Sequence, residues 1–450
     1  DAGMAWTSVR PESYQDNPTF PLSFAVKPDN RDIILMGVEE FVGEGGAPVP
    51  GRTIHRSTDG GASWSAVYTG TSSAFSVVSF GVAFDPSDPD RAYALSGSEA
   101  PGQPLETAVL RSTDGGVTWT PLTTILGMFP GISVLRVDPE GVVYVAGRTW
   151  DPADATLYRS VDQGATWQQT YTGDGGMIYD LTFDPANPDD VYMAEPNALL
   201  KSRDRGQTWE TILESEETLG AVVHDPGIPG RLYLGMGGPV VLMSLDGGAS
   251  WVELEDWEDT LTAPAVMSMA VAGDRLDRTL YVGLDGVWRY ELSGTLGAVG
   301  PDEDGTVTAT SSTGTETTVE VPAGAVAEET ELLYTPGVAP VESLNSAGML
   351  FAGQAFTLDA YVDGSHVADY AFQETVTVTV RYDDADVAGM REESLVLQVW
   401  DDGAWIDASQ TCDPASEIVR NTDENWVAVG ICHLSYYALA GSPGYTVTVP

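Results

Sequence analysis

Ser57-Thr58-Asp59-Gly60-Gly61-Ala62-Ser63-Trp64 decides the fold, because the chain repeats its pattern. It returns as STDGGVTW at Ser112–Trp119, SVDQGATW at Ser160–Trp167, SRDRGQTW at Ser202–Trp209 and SLDGGASW at Ser244–Trp251. The shared form, S-x-D-x-G-x-[ST]-W, is here called the box, and its period of roughly 40–55 residues marks a repeat architecture. Each fixed position has a physical reason. Asp59, Asp114, Asp162, Asp204 and Asp246 are placed to accept hydrogen bonds from the backbone of their own turn. The glycine after them admits a backbone conformation that a side chain forbids. Trp64, Trp119, Trp167, Trp209 and Trp251 each offer a large apolar face to wedge between neighbouring units.

Outward from the boxes, short alternating runs such as Thr53–Arg56 and Ser65–Tyr68 flank the turn, the pattern of a β-hairpin. A second signal lies between boxes. Phe84-Asp85-Pro86 precedes the run Arg91–Leu95, Phe183-Asp184-Pro185 precedes Val191–Ala194, and His224-Asp225-Pro226 precedes Arg231–Leu234. Each unit therefore reads as strand, Asp-Pro turn, strand, strand, box, strand, which is a four-stranded propeller blade. A sixth, boxless unit over Ala265–Tyr290 is one strand short, and Met4–Val9 is expected to supply that strand. The expected fold is thus all-β: a six-bladed β-propeller over residues 1–292, closed by the N-terminal strand so that no sheet edge stays open, followed by a β-sandwich.

The boxes resemble the Asp-box, or bacterial neuraminidase repeat, of sialidases, sortilin-type receptors, photosystem assembly-factor propellers and xyloglucan-cleaving glycosidases. That motif is specific for fold and silent on chemistry. A sialidase-like activity implies converging arginines, a tyrosine–glutamate pair and an early Arg-Ile-Pro signature, which is absent. Arg56, Arg111, Arg159 and Arg203 instead stand beside boxes, where pairing with surface acids is expected. A xyloglucanase-like activity implies two carboxylates flanking the scissile bond, usually on two larger propellers, and no acidic pair stands out in so acidic a chain. The resulting expectation is a non-catalytic extracellular protein whose propeller face binds glycan or protein, with a glycoside hydrolase as the alternative. Longer segments at Glu39–Gly51, Ser96–Glu106 and Arg148–Ala155 are the expected recognition loops.

After a Gly-, Ser- and Asp-rich stretch at 293–304, read as a linker, alternating strands over 305–450 predict the sandwich. Val319-Glu320-Val321-Pro322-Ala323-Gly324-Ala325-Val326 resembles the opening of the sandwich shared by ankyrins, netrin receptors and zonula-occludens proteins. Trp400, Trp405, Cys412 and Cys432-His433-Leu434-Ser435 are similar to the cleavage motif of GAIN domains, with one cysteine pair instead of two and Cys432 directly before the histidine. The resemblance implies His433 as base, Ser435 as nucleophile and self-cleavage at Leu434–Ser435.

Cys412 and Cys432 are the only cysteines and suggest one disulfide in an oxidising compartment. The chain opens at Asp1 without a basic and apolar leader, as after removal of a signal peptide, so a secreted or cell-surface location is expected. Asp383, Asp384 and Asp386 gather oxygen ligands of the kind calcium takes, but without the Asp-x-Asp-x-Asp-Gly spacing, and a solvated turn is the first reading. No other cofactor is expected. The 450 residues carry 67 acids and 20 bases, a net charge of −47, which excludes nucleic acid and anionic lipid as partners. No apolar run is long enough to span a membrane. Exposed sandwich edges suit self-assembly or surface anchoring.

Overall fold

The computed structural model describes residues 20–42, 49–71, 81–98, 106–126, 128–149, 154–173, 176–238, 240–254, 266, 268–273, 276, 278–283, 287–292, 294–311, 314–337, 344, 347–368, 370–401 and 404–444. They fall into two compact units, Asp1–Val222 and Val223–Pro450. The fold is all-β, with blade-like sheets followed by a sandwich.

Four blades make up the first unit. Phe20–Lys27, Asn30–Val42, Val49–Ser57 and Ser65–Thr71 form the first meander, and Val82–Asp85, Asp88–Ser98, Glu106–Ser112 and Thr120–Leu126 the second. Met128–Val137, Val143–Thr149, Ala155–Ser160 and Gln168–Gly173 form the third, and Asp180–Phe183, Val191–Glu195, Ala198–Ser202 and Glu210–Glu214 the fourth. The second strands share a local pattern, with Tyr93, Tyr144 and Tyr192 fully buried at matching positions. Trp167 packs on a cluster containing Tyr93 and Val143, and Trp209 on one containing Tyr144 and Met193, so each indole sits between consecutive blades.

The boundary between the units falls inside the strand Leu219–His224. In the second unit, Leu232–Met236, Val241–Ser244 and Val252–Leu254 pair in order, and Ser268–Gly273, Arg278–Gly283 and Val287–Glu291 form a three-stranded sheet. Met4–Val9, expected to complete that sheet, lies outside the described residues. The sandwich has one sheet ordered Thr295–Val299, Thr330–Pro336, Leu350–Val362, Tyr436–Gly441, Val396–Asp401, Ala404–Asp407. Its other sheet runs Gly305–Thr310, Glu316–Val321, Ala371–Arg381, Trp426–His433, Ile418–Asn421. Alternation explains these strands: Val319, Val321, Val376, Val378 and Val380 all point into the shared core. Thr295–Val299, within the stretch read as a linker, is instead an edge strand paired with Thr330–Pro336. Its apolar Leu296 and Val299 pack against the sandwich, which the Gly-rich composition around them concealed.

Within 223–450 the last blade strands and the sandwich share a core, in which Tyr233, Val252 and Leu280 cluster with Trp405, Tyr436 and Ala438. Of two ion pairs here, one joins the last two blade sheets and the other joins blade to sandwich. Arg278, wholly buried, donates to Asp225 Oδ2 at 2.7 Å, and Arg231 donates to Asp359 Oδ2 at 3.0 Å. Tyr361 Oη donates to the Gly227 carbonyl at 3.0 Å. Among the described residues, no helix is long and apolar enough to cross a membrane.

Candidate functional site

The box turns are built alike. Ser57 Oγ accepts from the Gly61 amide at 2.8 Å and donates to Asp59 Oδ1 at 2.8 Å. Asp59 in turn accepts from the Ser63 amide at 2.8 Å and the Ser63 hydroxyl at 2.6 Å. The same set recurs at Asp114, Asp162, Asp204 and Asp246. The Thr166 hydroxyl and amide hold the Asp162 carboxyl down at about 2. The fixed glycine is forced twice over: Gly164 has φ of +82°, and a Cβ there would lie 2.6 Å from Leu122 Cδ1. These aspartates are fully engaged in holding turns, so the box is a brace. Arg56 and Arg111 depart from the expected acid pairing. They donate to the carbonyls of Gly115 and Gln163, two residues with positive φ, stitching each blade to the next box. Arg203 does pair with an acid, Glu210, at 2.9 Å.

Chemistry is better placed at the other end of the blades. Boxes and Asp-Pro turns occupy one end of each meander, and the hairpins joining second and third strands occupy the opposite end. Most of the three expected recognition loops at that end lies outside the described residues. The corresponding hairpin of the fourth blade is short, Glu195 pairing with Ala198. Glu195 Oε1 is closed off from solvent. Burial pushes its carboxyl above the usual range, against a hydrogen bond from Tyr171 that pulls it down. Gly173 makes the space, since a Cβ there would stand 2.7 Å from Oε1. Nothing in the sequence singled out Glu195; its only trace is an acid directly before the Pro-Asn hairpin.

In the second unit a cavity of about 440 Å³ lies between the fifth box and the sandwich. It brings together Asp246 of that box with His433 and Ser435. It also holds Arg231, Asp359 and His366, which sequence reading did not connect. Asp359 is driven upward by burial but held down at about 2 by Arg231 and, next, His366. His433 and Ser435 each have another hydrogen-bond contact among the described residues. Ser435 Oγ donates to the Trp400 carbonyl at 2.8 Å, while His433 Nδ1 stands 3.4 Å from the Leu434 carbonyl. The adjacent strand end thus holds the proton that the base of such a reaction would need to take. Cys412 and Cys432 form the disulfide beside His433. Asp386 accepts from the Asp383 amide at 3.1 Å and fastens its own turn, while Asp384 accepts from Asn425 of another hairpin at 2.7 Å. Among the described residues no group of three or more His, Cys, Asp or Glu is arranged to hold a metal ion.

Fold and site thus define a protein of propeller blades joined to a β-sandwich, and no protein-family model matches it. The chain is 32% identical over 167 residues to the xyloglucanase Xgh74A of Acetivibrio thermocellus, covering 29% of this chain and 19% of that one. It is 26% identical over 293 residues to a xyloglucanase of Hypocrea jecorina, covering 56% and 32%. The chain therefore spans between about a fifth and a third of the length of these relatives. Among solved structures it is similar to the GH74 xyloglucanase of Xanthomonas campestris, with a TM-score of 0.46 and 14% identity over 82% of this chain and 70% of that one. It is also similar to YCF48 of Cyanidioschyzon merolae, with a TM-score of 0.41 and 14% identity over 62% and 96%. The sequence similarity to xyloglucanases overturns the expectation of a non-catalytic binding protein. That expectation rested on the absent Arg-Ile-Pro signature and on the lack of a distinguishable acidic pair, and the similarity over 167 residues outweighs both.

Proposed function

We propose that the protein is a glycoside hydrolase acting on xyloglucan outside the cell. The observation that carries this reading is the 32% identity to a xyloglucanase over 167 residues. The disulfide supports an oxidising, extracellular setting. Glycoside hydrolysis needs a carboxyl that is still protonated near neutral pH to give its proton to the leaving oxygen. Glu195 suits that role: burial raises its affinity for the proton, and it stands at the loop end of its blade rather than in a box. In the reaction, the bond from the anomeric carbon to the leaving oxygen breaks as that oxygen takes the Glu195 proton. Water adds to the carbon, and the proton it releases passes to solvent, from which Glu195 is recharged.

The test is release of reducing ends from xyloglucan by the purified chain. Glu195→Gln is expected to lower kcat/KM about 10²–10⁴-fold. The loss is smaller on an aryl glycoside, whose leaving group needs no proton. Absence of turnover by the unaltered chain rejects the hydrolase, and full activity of E195Q moves the acid role to another residue.

A further inference from the structure

The geometry points to a second role for the second unit: the cavity between the fifth box and the sandwich is a binding site for a neutral saccharide of one or two sugar rings. The walls decide the ligand class. Arg231 is the cation in the lining, and it is buried and committed to Asp359 at 3.0 Å, so no free positive charge remains to receive an anionic ligand. What the cavity offers is hydrogen-bond acceptors. Asp401 lines it and is exposed, whereas both oxygens of Asp246 are already bonded within the fifth box. His366 turns Nε2 toward Asp359 Oδ1 at 3.4 Å, so its Nδ1 lies on the side of the ring away from that carboxylate. That Nδ1 is buried and has no hydrogen-bond partner among the described residues. Ser435 has spent its proton on the Trp400 carbonyl and keeps its lone pairs. An acceptor-rich wall calls for a ligand rich in O–H donors.

The remaining wall is apolar and aromatic. Trp400 is half-buried, and its orientation is fixed at both edges, by the Nε1 donation to Ser250 Oγ at 2.9 Å and an edge contact with Trp405 at 5.2 Å. A fixed indole beside carboxylates matches a pyranose, whose ring presents C–H groups on its faces and hydroxyls around its rim. The volume of about 440 Å³ lies within the range of small-ligand pockets. The Cys412–Cys432 disulfide and the Tyr437 hydroxyl, which donates to the His433 carbonyl at 2.5 Å, tie down the strand end that carries His433. The wall is therefore set before a ligand arrives.

The choice of xyloglucan fragments as the probe rests on the hydrolase reading; the cavity itself does not. The chain has four histidines, His55, His224, His366 and His433, and only the last two line the cavity. Titrating the full chain with a xyloglucan oligosaccharide, and separately with tetralysine, while recording histidine ring NMR signals, tests the site without any turnover. The saccharide is expected to shift His366 and His433 and leave His55 and His224 in place. Asp401→Asn is expected to weaken that response about 3–10-fold, and Trp400→Ala at least about 10-fold, with the unfolding temperature of D401N unchanged. Shifts of all four signals, none at millimolar saccharide, or a response to tetralysine alone each overturn the proposal. Binding without hydrolysis rejects only the hydrolase, and hydrolysis without these shifts rejects only the site.

Discussion

The box turns and the blade–sandwich packing of residues 223–450 both depend on aspartate, and they use it in opposite ways. A box aspartate is exposed and bonds to atoms four residues away, so its energy is local and solvent-screened. Asp225 and Asp359 are buried and answer arginines 53 and 128 residues distant in the chain. The first kind repeats and can be lost singly; the second is one linked set, in which stranding a partner leaves a charge without water. Arg278→Met is therefore expected to cost about 3–5 kcal/mol, because Asp225 stays buried and uncompensated. Asp114→Asn, which trims one box, is expected to cost about 1 kcal/mol. Urea unfolding of both variants checks this, and similar losses would erase the distinction.

Acid sharpens the comparison further. The Asp359 carboxyl lies at about 2 in the folded protein against an ordinary 3.8, because Arg231 and His366 outweigh the opposing effect of burial. A carboxyl lowered on folding contributes its full stability above the unfolded value and loses it as pH falls through the folded one. Stability of roughly 2 kcal/mol is thus expected to disappear between about pH 4 and pH 2. Asp359→Asn removes that dependence, measurable as a flatter unfolding midpoint below pH 4. Asp162→Asn should flatten it less, since its carboxyl is bathed in solvent although its value is as low.

Legibility in the sequence follows the same division. The blades, the disulfide and the sandwich strands could be read because their causes are local: a turn former, a positive-φ glycine, alternation of valines. Arg231, Arg278 and Asp359 could not, since each looks like any surface charge until strands far apart in the chain are packed together. Thr295–Val299 was hidden for a related reason, since its apolar residues are interleaved with Gly297 and Ala298 and gain meaning only against Thr330–Pro336. Glu195 was invisible among 67 acids because burial, not identity, changes its chemistry. The His433–Leu434–Ser435 motif shows the converse, a recognisable string whose serine proton goes to the Trp400 carbonyl.

The finest difference lies within the boxes themselves. Gln163 and Arg205 occupy the same box position with nearly the same left-handed backbone, φ of 61° and 58°. Such a conformation costs a non-glycine residue about 1 kcal/mol, while glycine there costs a comparable amount in unfolded-chain entropy. Gln163 is exposed, and its anchoring bond uses its backbone carbonyl, which accepts from Arg111 and survives substitution. Gln163→Gly is therefore expected to leave stability within about 0.5 kcal/mol of the starting value. Arg205 differs because its side chain reaches Glu140 at 2.5 Å and Asp189 at 3.2 Å, and stands beside the wholly buried Asp138. Arg205→Gly gains the same backbone relief but uncovers Asp138, whose carboxyl burial already drives upward. A net loss of about 1–2 kcal/mol is expected by thermal unfolding, and equal behaviour of the two variants would mean that this box position is set by its backbone alone.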